Sequence, residues 1–308
     1  MEDRQEIIEN QDGEKGKKKK RGLTDNIIVI WLIATVLTLV GQMLGSFVFL
    51  IPFMSDTDFG LTISQYLIFG GVWIVFWLYL RLTKKNRPIL QVLGRDPWGN
   101  RPVFLLAGMA AGFGLNGICI LTAWLHGDIV LYYDSLHPVL LVLIFIAVLI
   151  QSSAEEFICR GFVFQRLLKG GRSPWVAIIG NAALFAILHL MNDGVTFLSI
   201  LNILVIGIGF SLIVYYMDSL WCAIGLHTAW NFMQNIIFGL PNSGLVTPFS
   251  LFKLEASTAK NSFAYNVGFG VEGTVTANVL LIAVCILLYV RGRKQDRKPY
   301  VVWECADR

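Results

Sequence analysis

The apolar run LVLIFIAVLIQSSAEEFICRGFVFQRLL, residues 141–168, contains two adjacent carboxylates, Glu155 and Glu156, with Arg160 four residues on. Charged side chains inside a bilayer are costly and are rarely incidental. Neighbours on a helix lie about 100° apart, whereas residues four apart share a face. Glu156 and Arg160 are therefore expected to form an ion pair that shields the arginine. Glu155 then faces elsewhere and needs a partner from another helix. Of the four histidines, His189 and His227 lie within apolar segments, NAALFAILHLMND and SLWCAIGLHTAWNFMQN, and Asn231 shares a helix face with His227. A carboxylate assisted by an imidazole can take a proton from water as a general base. A second imidazole and a carboxamide can donate to the oxyanion of a tetrahedral intermediate. Glu155, His189, His227 and Asn231 thus make a parts list for peptide-bond hydrolysis, with Glu156 and Arg160 in support and no cofactor required.

Other readings of the same residues stand beside this one. Intramembrane histidine and asparagine often serve only as hydrogen-bonding glue between helices. Cys159 lies four residues from Glu155 and could be a thiol nucleophile paired with His189, although buried cysteines are usually inert. Glu155, His189 and His227 could hold zinc only by assembling across helices, because no HExxH motif is present. The five cysteines show no CxxC pair and no metal-ligand spacing, so neither a disulfide framework nor a cysteine metal site is expected. His126 and His137 fall at helix ends and receive no role.

The elements that must position these groups follow from composition. The chain has 308 residues, 55% hydrophobic and 15% charged, with a mean hydropathy of +0.63. Soluble domains carry about a quarter charged residues, so an all-α polytopic membrane protein is expected. Apolar segments at 27–51, 64–82, 102–125, 138–168, 175–190, 196–217, 220–240 and 274–290 suggest about eight transmembrane helices. Alternate segments, 1–22, 81–101, 160–172 and 291–308, hold 23 of the 25 basic residues. That asymmetry is the positive-inside pattern and places both termini in the cytoplasm. The chain divides into a basic, disordered cytoplasmic tail (1–22), a transmembrane domain (23–290) with a catalytic core at about 138–240, and a second cytoplasmic tail (291–308). The first span is too long for a signal-peptide core and reads as an uncleaved anchor. A bacterial plasma membrane fits this pattern. Membrane lipids are the expected surroundings, and nothing points to nucleic acid.

Helix geometry also sets depth. Residue 172 lies midway between Glu155 and His189, within the turn joining two antiparallel segments. At about 1.5 Å per residue, both side chains sit about 20 Å from that turn. His227 follows the Asp218–Ser219 turn by eight or nine residues, about 12–14 Å up its own helix. The four groups can therefore converge on one buried cavity.

At these residues the chain resembles a known family. EEFICR fits EExxxR, FAILH (Phe185–His189) fits FxxxH, and HTAWN (His227–Asn231) fits HxxxN. In this order, on successive hydrophobic segments, they resemble the CPBP (CAAX protease and bacteriocin-processing) family, which includes the type II CAAX prenyl endopeptidases. The resemblance implies a glutamic intramembrane endopeptidase on an eight-helix fold, without a catalytic metal. Glu155 would be the water-activating base and His189 its assistant. His227 and Asn231 would bind the oxyanion, and Glu156 and Arg160 would support them. The substrate would be a CAAX-like or other membrane-associated peptide, lipidated in the best-known members. Members linked to bacteriocin immunity or scaffolding imply the alternative of a non-catalytic adaptor that keeps the constellation for packing. A proton-coupled transporter is a further alternative, but no inverted repeat supports it. The topology is tested with reporters: green fluorescent protein after Arg308 should fluoresce, and alkaline phosphatase inserted within 239–273 should be active. The reverse pattern would overturn the orientation.

Overall fold

The computed structural model describes residues 23–169, 172–295 and 299–305; the expected basic tail, 1–22, lies outside them. Eight principal helices order the described chain: α1 (Ile27–Gly45), α2 (Asp58–Leu82), α3 (Pro102–His126), α4 (Pro138–Leu168), α5 (Pro174–Leu188), α6 (Phe197–Met217), α7 (Leu220–Asn231) and α8 (Val275–Gly292). Their starts are written locally. Proline opens α3, α4 and α5, where its missing N–H costs no hydrogen bond. Side-chain oxygens of Asn26, Thr57, Thr196, Ser219 and Thr274 accept from the first turns of the other five, satisfying donors that a helix start leaves open. Two three-residue strands, β1 (Leu131–Tyr133) and β2 (Phe252–Leu254), pair antiparallel and fasten the 239–273 connection to the end of α3.

Six helices are long and apolar enough to cross a membrane: α1 with the 3-10 turn after it, α2, α3, α4, α6 and α8. The other two expected spans are helical but different in kind. α5 has only fifteen residues, about 22 Å of helix against an apolar layer of about 30 Å. Every residue of α7 except Trp221 is buried, as expected of a helix surrounded by others rather than facing lipid. Large apolar side chains point outward from the enclosing helices, among them Leu32, Leu39 and Met43 on α1 and Leu106, Ile118 and Leu121 on α3.

α7 is held closest by α3, and glycines permit that approach. A Cβ on Gly108 would lie 2.1 Å from the Cys222 carbonyl oxygen, and one on Gly225 would lie 2.3 Å from that of Leu105. Both obstacles are backbone, which cannot rotate aside. On the other side α7 packs on α4, which in turn packs on α2. α5, α6 and α8 form a second row. At the 169–173 end, Arg166 pairs with Asp25 at 3.0 Å and also bonds Asn86 and the Thr24 carbonyl, tying α1 to α4. The described part of the last tail docks there too. Trp303 Nε1 donates to the Gln165 carbonyl at 2.6 Å, and the Tyr300 amide donates to Asp218 at 2.8 Å.

Gly225→Val is expected to lower thermal stability by about 1–3 kcal/mol, the usual cost of overpacking, or to prevent folding. Thermal unfolding in detergent measures this. Valine at Gly114, where an added Cβ meets nothing within 4 Å, serves as the control and should be tolerated.

Candidate active site

The site is built around Glu156, whose side chain is completely buried. Its Oε1 accepts from Arg160 Nη1 at 3.0 Å, the expected pair one helical turn apart. The same oxygen lies 2.9 Å from His227 Nδ1. Glu156 therefore does more than shield the arginine: it ties α7 to α4 through an imidazole. The Arg160 guanidinium lies between the faces of Phe185 and Phe210, at 4.6 and 4.9 Å from their centroids, and Nη2 donates to the Gly207 carbonyl at 3.2 Å. Aromatic faces and a carbonyl replace part of the hydration such a cation loses on burial. Phe185 is the first residue of the FAILH motif, so the phenylalanine has its own task. Gly207 brings α6 close enough for this contact, since its Cβ would stand 3.0 Å from Ala182.

Glu155, one residue earlier, faces away from Arg160 as the helical angle requires. Its Oε1 accepts from Gln151 Nε2 at 2.7 Å, and its Oε2 lies 3.7 Å from His227 Nε2. The partner from another helix is thus His227, with Gln151 as a partner on its own helix. His227 stacks on Phe210 with centroids 5.4 Å apart. With one ring nitrogen against Glu156 and the other toward Glu155, only the doubly protonated ring offers a donor to both carboxylates.

His189 sits at the C-cap of α5, where the short helix stops. Its Nδ1 is 2.7 Å from the Phe185 carbonyl; a carbonyl only accepts, so Nδ1 carries the proton and Nε2 is an acceptor in the neutral ring. No hydrogen bond joins His189 to Glu155 among the described residues. The two share the wall of one cavity instead. Asn231 donates through Nδ2 to Gln151 Oε1 at 3.1 Å and accepts from Asn242 Nδ2 at 3.0 Å. An amide carries two N–H bonds, so the second remains for a ligand.

Glu155, His189, His227 and Asn231 all line one cavity of about 160 Å³, room for several waters. A wider groove of about 780 Å³ adjoins it, sharing Glu155 and His189 and walled by Thr35, Leu39 and Met43 of α1 and Ile68 of α2. Cys159 lines this groove and not the smaller cavity. Among the described residues, no group of three or more His, Cys, Asp or Glu is placed to hold a metal ion.

Further polar residues line the cavity, among them Gln151, Asn242, Ser243 and Glu272. Gln151 had a signal, lying four residues before Glu155 on the same helix face. The others belong to the 239–273 connection, where no spacing links them to the site. Glu272 accepts from Trp230 Nε1 at 2.9 Å and from the Ser243 amide and hydroxyl at 2.6 and 2.8 Å. Burial pushes its carboxyl above the usual carboxylate range, against the lowering effect of those bonds. Asn235 is not itself in the lining; it accepts from Tyr66, which is, at 2.6 Å and donates to the Leu240 carbonyl at 3.0 Å. His126 and His137 are remote, at Asp128 and Phe249 respectively.

Both helices that carry the site widen directly beyond it. α4 becomes π-helical over Phe157–Val163 and α7 continues as π-helix over Phe232–Ile237. Such insertions shift the faces on either side relative to one another and recur at functional sites.

Fold and cavity together describe an integral membrane protein with a buried acid, imidazole and amide site. Residues 137–233 match the model of the family described as type II CAAX prenyl endopeptidase Rce1-like, within the family that the three motifs resemble. The match spans about a third of the chain and includes Glu155, Glu156, Arg160, His189, His227 and Asn231. At family level it supports a CAAX-protease-type membrane peptidase. No curated protein and no solved structure matches the chain.

Arg160→Ala should cost about 3–5 kcal/mol, because it leaves Glu156 buried without its cation. Chemical unfolding in mixed micelles measures the loss, and an unchanged stability would contradict the pairing.

Proposed function

We propose that the protein is an intramembrane glutamic endopeptidase, in which Glu155 activates a water. The observation that carries this reading is the convergence of Glu155, His189, His227 and Asn231 on one cavity. In the proposed cycle a water lies between Glu155 and His189 Nε2. Glu155 takes one of its protons while the oxygen attacks the scissile carbonyl carbon. The resulting oxyanion accepts from His227 Nε2–H and from the second N–H of Asn231. Collapse breaks the C–N bond, and the proton held by Glu155 passes to the departing amine. Glu156 holds His227 by Nδ1 and so keeps Nε2 turned toward the reacting group, while Arg160 balances the charge of Glu156.

The wider groove beside α1 would admit the substrate, because it reaches Glu155 and His189 along a wall that mixes apolar side chains (Leu39, Met43, Ile68, Phe69) with polar ones (Thr35, Thr38, Gln42). The family description names prenyl endopeptidases, and a peptide with an attached isoprenoid suits such a groove. In this reading α5 and α7 complete eight membrane segments, both termini are cytoplasmic, and the membrane is a bacterial plasma membrane.

Glu155→Gln is expected to fold normally and to lower cleavage by about 10²–10⁴-fold, the range for loss of a positioned general base. Mapping of peptide ends in membranes holding wild type or variant reads this whatever the substrate is. Identical sets of termini would sink the peptidase reading. Wild-type cleavage should also persist in a strong chelator, and its loss, restored by added zinc, would replace the glutamic mechanism with a metal-dependent one.

A further inference from the structure

A connected row of side-chain amides runs from the 239–273 connection to Glu155. Asn242 Nδ2 donates to Asn231 Oδ1 at 3.0 Å, Asn231 Nδ2 to Gln151 Oε1 at 3.1 Å, and Gln151 Nε2 to Glu155 Oε1 at 2.7 Å. All three amides are at most 8% exposed. We propose that Gln151 is a positioning residue for the Glu155 carboxylate, and that Asn242 and Asn231 fix its orientation as a polarised chain. The proposal rests on the reading of Glu155 as the general base.

The polarity of the chain has one cause. An ionised carboxylate only accepts, so Gln151 must turn its NH₂ toward Glu155. Its carbonyl then faces Asn231 and needs a donor, which turns the Asn231 NH₂ inward. The Asn231 carbonyl in turn needs the Asn242 NH₂. Each amide is oriented by the next, and all three by the charge on Glu155. The bond to Oε1 also leaves Oε2 as the oxygen directed at His227 and the cavity. Without it the glutamate side chain regains rotamers that turn the base away from the water, and small misplacements of a reacting group are expensive.

The far end of the chain is anchored independently. Ser243, next to Asn242, is held through its amide and hydroxyl by Glu272 and through its carbonyl by Asn192 Nδ2 at 2.8 Å. Ser243 adopts a positive φ of 49°, an uncommon conformation for a non-glycine residue. The anchoring bonds hold it there, so the loop presents Asn242 to Asn231 in a fixed pose. A segment remote in sequence thereby contributes to the geometry of the base.

The test uses the full chain in lipid nanodiscs, with Gln151→Leu, Asn242→Leu and the double variant, all keeping the charged and titratable neighbours Glu156, Arg160, His189, His227 and Glu272. Acid-induced difference infrared spectra, referenced to Glu155→Gln, isolate the Glu155 carboxylate stretch. Gln151→Leu should shift this band. Asn242→Leu should shift it less, and should add nothing in the Gln151→Leu background, because the chain is already cut. A band unmoved in folded Gln151→Leu, or additive shifts in the double variant, would overturn the proposal. Should Gln151→Leu fail to fold, an unmoved band in Asn242→Leu overturns it alone. With a farnesylated CAAX peptide as probe, Gln151→Leu should lower kcat by about 10–100-fold with KM nearly unchanged. A wild-type chain that leaves this probe uncut counts against a prenyl-peptidase activity, whereas the band shifts still decide the role of Gln151.

Discussion

One carboxylate oxygen organises the centre of this protein. Glu156 Oε1 receives both the Arg160 guanidinium and the His227 imidazole, in a place without solvent contact. Removing charges from water is costly, and such a cluster persists only where the charges balance and further polar partners are present. Here the partners are two aromatic faces and the Gly207 carbonyl around Arg160, and Gln151 beside Glu155. The pairing that stabilises α7 against α4 also aims His227 Nε2 at Glu155. Structural and chemical tasks therefore fall to adjacent residues of one helix, separated by about 100° of helical rotation.

Departures from regular membrane helices supply the remaining geometry. α5 is short, and its early end leaves His189 on the wall of the cavity that Glu155 also lines. α7 is buried on all sides because glycines on α3 and on α7 itself let the two backbones approach. Polar groups on α7 can therefore meet a cavity and not lipid. The π-helical segments after Glu156 and Asn231 let the same two helices turn different faces toward their neighbours on either side of the site.

Much of this was legible from spacing. The Glu156–Arg160 pair followed from a four-residue separation, the opposed direction of Glu155 from its neighbouring position, and the common depth of Glu155 and His189 from the hairpin between them. Three features were not legible. That His227 Nδ1 would contact Glu156 depends on how α4 and α7 are rotated, which no local pattern encodes. Gln151 escapes notice although it occupies the same face as Glu155, because a lone amide in an apolar run also suits ordinary helix contacts. Asn242, Ser243 and Glu272 reach the cavity through a long connection whose composition gives no hint of its path.

Nitrogen-15 NMR of the histidines, only four in this chain, tests the central arrangement most directly. Resonances of His227 are assigned by its replacement with asparagine. Glu156→Gln should then move the Nδ1 resonance chiefly, and Glu155→Gln the Nε2 resonance chiefly, each reporting the carboxylate it faces. A His227 whose two nitrogens respond to neither substitution would contradict a shared, buried acid–imidazole centre.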